Sequence, residues 1–110
     1  MKQYVIDEIR FADLDTLKCY LDEHYGPASL NSIYRLPLDP EIYEACQMSH
    51  TDCQPFYFAL ELKPDALCCE FLVRTDSRIR CDCIANATPR QRNWLIEQAD
   101  AIFERLSIVS

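Results

Sequence analysis

One glycine, Gly26, serves a chain of 110 residues. A phosphate-binding loop, a dinucleotide fingerprint and a nucleophile elbow each need at least two glycines at fixed spacing, so none of them is available. Imidazole chemistry is confined to His24 and His50. No run approaches the roughly 18 to 20 apolar residues of a spanning helix. The opening Met1-Lys2-Gln3-Tyr4-Val5-Ile6 gives way to Asp7-Glu8 before a secretory leader could form. Positive charge is scarce: 11 Lys and Arg stand against 18 Asp and Glu, for a net charge of −7. Nucleic-acid binding rests on a basic surface, so that class is disfavoured. Together these absences predict a soluble, cytoplasmic protein with neither a nucleic acid nor a membrane as partner.

Cysteine runs the other way, with seven residues. An odd count in a helix-rich chain with ample aliphatic core reads as reduced, mostly internal thiols rather than a disulfide scaffold. Apolar residues make up 49% and charged residues 26%. At this length, that balance predicts one globular domain over 1–110. No repeat, low-complexity run or linker divides it.

Periodicity supplies the elements. A strand is expected over 3–9, then a helix over 13–25 with Asp13 as N-cap. Its apolar stripe is Leu14, Leu17, Tyr20, Leu21 and Tyr25, and Gly26-Pro27 stops it. A short strand over 32–36 ends at Pro37. Asp39-Pro40-Glu41 has the form of a second helix start, leading to Ile42, Tyr43, Ala45 and Cys46.

Phe56, Phe58, Leu60 and Leu62 alternate with Tyr57, Ala59 and Glu61. After a turn at 63–66, Leu67, Cys69, Phe71 and Val73 alternate in the same way. Pairing Leu62 with Leu67 sets Leu60 opposite Cys69, Phe58 opposite Phe71 and Phe56 opposite Val73, all on one face. A third strand over 79–83 would then place Cys81 beside Phe71 and Cys83 beside Cys69. Thr88 and Gln91 form a capping box with Pro89 between them, and Trp94, Leu95, Ala99, Ile102, Phe103 and Leu106 give the last helix its stripe. The order β-α-β-α-β-β-β-α predicts an α+β two-layer sandwich, its mostly antiparallel sheet covered by helices on one face.

Two constellations carry candidate chemistry. Cys46, His50 and Cys53 offer three zinc-type ligands around a helix end, although structural zinc sites space their paired cysteines more closely. The bland account is two ordinary cysteines and a loop histidine. Neighbouring strand residues face opposite ways, so Cys68 and Cys69 cannot share a face, and no Cys-x-x-Cys opens a helix.

The second constellation is electrostatic. Residues 1–73 carry −8 and residues 93–110 carry −2, whereas 74–92 carry +3 through Arg74, Arg78, Arg80, Arg90 and Arg92. Arg90 and Arg92 fall in the first turn of the last helix, where cations oppose the macrodipole by about 0.3–1 kcal/mol each. An anion held by Arg90, Arg92 and the backbone after Thr88, with Arg80 as a third cation, would compensate them. Nearby Asp and Glu would do the same without any ligand.

The leading expectation is a non-catalytic, adaptor-like binding or interaction domain with no cofactor, whose partner is a protein or a small anionic ligand. The alternative is a zinc-binding protein or metalloenzyme using Cys46, His50 and Cys53. The outward strand positions Tyr57, Ala59, Cys68, Leu72 and Ile84 are more apolar than a solvated face requires, and point to a homodimer through that face or its edge.

Overall fold

The computed structural model describes residues 2–28, 32–76 and 84–109. It bears out the α+β architecture. Helices α1 (Phe11–Tyr25), α2 (Ala45–Ser49) and α3 (Pro89–Arg105) accompany strands β1 (Gln3–Ile6), β2 (Ile33–Pro37), β3 (Phe56–Leu62), β4 (Leu67–Glu70), β5 (Leu72–Thr75) and β6 (Ala85–Asn86). All strand pairs among the described residues are antiparallel.

The central lane is β3, whose Phe56, Phe58 and Leu60 are fully buried. Burying side chains of this size contributes about 1.5–3 kcal/mol each. On one side lies β2, from Ile33 opposite Glu61 to Pro37 opposite Tyr57. On the other lie β4 and β5, which form one lane broken at Phe71.

Up to that break the expected register holds, with Leu62 opposite Leu67 and Leu60 opposite Cys69. Beyond it, Phe56 faces Thr75 and Tyr57 faces Arg74, so the expected pairing of Phe56 with Val73 is corrected by two residues. An even slip leaves every side chain on its original face. Val73 therefore stays in the core with a changed neighbour.

The outermost lane is shared. Along β4 it is filled by β1, with Tyr4 opposite Cys69; along β5 it is filled by β6, with Ala85 opposite Val73. The expected neighbour of Cys69, Cys83, is thereby replaced by a strand from the other end of the chain. The strand expected over 79–83 lies outside the described residues.

One face of this sheet takes the helices. Leu17 and Leu21 of α1 and Leu95, Ala99, Ile102 and Phe103 of α3 join the strand side chains in one core. Each long helix is also pinned by a tyrosine: Tyr34 donates to Asp22 at 2.6 Å and Tyr4 donates to Asp100 at 2.6 Å.

Helix α1 begins before the expected Asp13. Arg10 takes the N-cap, and Asp13 sits in the first turn 3.6 Å from the Arg10 guanidinium, where its charge still favours the helix end. Gly26 ends the helix for steric reasons, since a Cβ there would stand 2.4 Å from the Asp22 carbonyl oxygen. The helix expected from Asp39 is a single 3-10 turn, Pro40–Ile42, with Asp39 accepting from the Glu41 amide at 3.0 Å. Helix α2 then restarts from its own capping box, Glu44 with Gln47.

Candidate functional site

The start of α3 is built as its sequence requires. Thr88 accepts from the Gln91 amide at 3.2 Å, and the Gln91 side chain accepts from the Thr88 amide at 3.1 Å. Gln91 is only 1% exposed, and its Nε2 donates to the Ile42 carbonyl and to Gln47 Oε1. Pro89 has no N–H to offer. The cap thus engages the amides of Thr88 and Gln91, so these two are not available to an anion.

The side chains have separate places. Arg90 is exposed, whereas Arg92 is half-buried with its guanidinium 5.5 Å from the centre of the Phe71 ring. That cation–π contact is worth about 0.5–1 kcal/mol at a partly exposed site, enough to offset the macrodipole penalty on Arg92. Among the described residues, Arg90 has no such contact. Arg80 lies in 77–83, outside the described residues.

Phe71 explains where Arg92 points. It occupies the break between β4 and β5, where its amide donates to the Lys2 carbonyl at 3.1 Å and its carbonyl accepts from the Ala87 amide at 2.9 Å. The two pieces of the outer lane, β1 and β6, are stitched to the sheet on either side of it. Between them opens a hollow of about 460 Å³ lined by Lys2, Phe71, Asn86, Ala87 and Arg92. Ion pairs form elsewhere, as Arg10–Asp13, Lys18–Asp22, Arg35–Asp76 and Arg74–Glu70. Among the described residues, no carboxylate pairs with Lys2, Arg90 or Arg92. Lys2 is the member that sequence reasoning missed, because nothing in the local pattern ties residue 2 to residue 92.

The second constellation is drawn together in part. Cys46 Sγ lies 3.5 Å from His50 Nδ1 across one turn of α2. Cys53 is buried, 2% exposed, and its carbonyl accepts from the Thr75 hydroxyl. Among the described residues, no three His, Cys, Asp or Glu side chains gather as a metal site.

The sheet face opposite the helices holds a different hollow, of about 290 Å³, lined in part by Ile33, Tyr57, Ala59, Glu61 and Cys68. Ala59 and Cys68 are 8% and 3% exposed. Longer neighbours shelter them. Arg35 pairs with Asp76 and lies 5.1 Å from the centre of the Tyr57 ring, and Arg74 pairs with Glu70 at 3.0 Å.

No protein-family model matches the chain, no curated protein matches it, and no solved structure matches it.

Proposed function

We propose that this is a non-catalytic binding module whose ligand, or the contacting group of a protein partner, is a small anion held in the hollow beside Phe71. One observation carries the reading: Lys2 and Arg92 line the same open hollow with no carboxylate partner among the described residues. In an acidic protein with internal acids to spare, uncompensated cations are the feature that needs a reason. Arg92 is held in place by the Phe71 ring, so less side-chain freedom is lost when an anion arrives. Asn86 adds an amide to the lining, and the exposed Arg90 adds a nearby charge.

The thiols support a reducing, cytoplasmic setting: Cys68 and Cys69 lie buried as unbridged thiols, and Cys19 is an exposed one. No helix of the described residues is long and apolar enough to cross a membrane. The homodimer expected through the outer sheet face or its edge would find Ala59 and Cys68 8% and 3% exposed within one chain, and sedimentation at high protein concentration decides it.

The test is a titration of the protein with sulfate and with phosphate, read by thermal shift and by amide chemical shifts. Saturable stabilisation, with changes centred on Phe71, Ala87 and Arg92 and lost in Lys2→Gln and Arg92→Gln, is expected. Equal response in those variants would overturn the reading.

The alternative of a zinc-binding protein has the Cys46–His50 contact in its favour. A pair supplies two of the four ligands of a structural zinc site, so others would have to join it. Metal analysis of the purified protein decides. One equivalent of zinc per chain, lost in Cys46→Ser, would put this reading first.

A further inference from the structure

We propose a second site, for a short-chain primary ammonium compound, in the hollow on the outer face of the sheet. It is independent of the anion site and on a different surface. Glu61 is one of its lining residues. In the register it faces Cys68 on one side and Ile33 on the other, so its carboxylate rises between two apolar neighbours. The two arginines lining the hollow are committed, Arg35 to Asp76 and Arg74 to Glu70. Glu61 is half-buried, and among the described residues it forms no ion pair. A carboxylate with no partner of its own, set in a hollow, is open to a cation that brings one.

The remaining lining sets the rest of the ligand. Ala59 and Cys68 close the bottom of the hollow, and the half-buried Ile33 and Tyr57 are the apolar side chains left to meet an alkyl chain. The hollow, about 290 Å³, lies at the small end of ligand sites, which run from about 300 to 1,000 Å³. It admits a few-carbon amine and not a nucleotide. The net charge of −7 draws cations toward the protein as a whole, which adds to their rate of encounter.

The experiment is an amide chemical-shift titration of the intact chain with n-butylammonium chloride, with n-butanol and sodium butyrate as matched probes. Saturable shifts at Ile33, Ala59, Glu61 and Cys68 are expected for the amine, with at least fivefold weaker binding of the alcohol and none of the acid. Glu61→Gln should weaken amine binding at least fivefold, while Arg92→Gln leaves it unchanged. Butanol binding as well as the amine, shifts that do not saturate, or a Glu61→Gln variant that binds normally would each overturn the proposal. Shifts on this face that depend on protein concentration without amine would mean that a second copy covers it, and would overturn it too. The butanol comparison uses the unaltered chain, so it decides even if the variant fails to fold. Sulfate shifts around Phe71 are read separately, so the two sites fail or stand apart.

Discussion

Gln91 Nε2 donates to Gln47 Oε1 at 2.9 Å, joining the first turn of α3 to α2 through two side chains that are 1% and 3% exposed. The same Gln47 oxygen accepts from the Glu44 amide at 2.9 Å, and Gln91 also serves the Ile42 carbonyl. One glutamine therefore caps its own helix and closes the irregular segment 40–47 against it. Replacing Gln91 with Leu strands the buried Ile42 carbonyl and takes the partner from the half-buried Thr88 amide. A buried group left without its partner costs about 1–3 kcal/mol, so the loss should reach about 2–4 kcal/mol in urea unfolding. A double-mutant cycle with Gln47→Leu should show coupling. Additive losses would mean that the two amides act separately.

The arginines at the start of α3 should behave differently from each other. Arg90→Gln removes a cation opposed to the macrodipole and should be neutral, or stabilising by up to about 1 kcal/mol. Arg92→Gln also forfeits the Phe71 contact, and the two effects should cancel to within about 0.5 kcal/mol. A clear fall in melting temperature for both variants, with no effect of sulfate on the parent, would show that the cations are structural.

Thiol reactivity should follow burial. Cys69 is fully buried, and burial, with Cys68 and Asp100 adding to it, pushes its thiol up to about 12. Cys68 is 3% exposed and Cys19 is exposed. Mass-spectrometric mapping after brief alkylation should find Cys19 labelled in the native protein, with Cys68 and Cys69 labelled only after unfolding. Fast native labelling of Cys69 would contradict the register in which it faces Leu60 and Tyr4.

Alkaline stability follows from two tyrosines and that thiol. The hydrogen bond to Asp100, then burial, pushes Tyr4 up to about 12, while burial, then the bond to Asp22, pushes Tyr34 up to about 12. An ordinary tyrosine titrates near 10, as does the unfolded chain. From about pH 9 for the Cys69 thiol and about pH 10 for the two tyrosines, up to about 12, the unfolded state has released protons that the folded state retains, so stability falls as pH rises. Below about pH 9 the contribution is fully present. Unfolding midpoints measured from pH 9 to 12 should drop, and Tyr34→Phe, which has no proton to lose, should flatten the drop. An unchanged slope would remove Tyr34 from the account.

Elements governed by local pattern were legible in the sequence. The Thr88–Gln91 box, the stripe of α3 and the hairpin from Leu60 to Cys69 all depend on residues within a few turns or one tight loop of each other. Arg90 and Arg92 were legible as cations out of place at a helix start for the same reason.

What the tertiary structure alone decided is long-range. The break at Phe71 lets β1 and β6 share one lane, and a strand from the chain's beginning displaces the expected neighbour of Cys69. Alternation cannot reveal this, because a two-residue slip preserves every face and leaves no mark in the apolar pattern. The hollow that brings Lys2 to Arg92, and the ion pairs beside Glu61 on the outer face, arise from the same lane geometry. They depend on which strands become neighbours, and that is settled by the burial of the whole sheet against α1 and α3 rather than by any one segment.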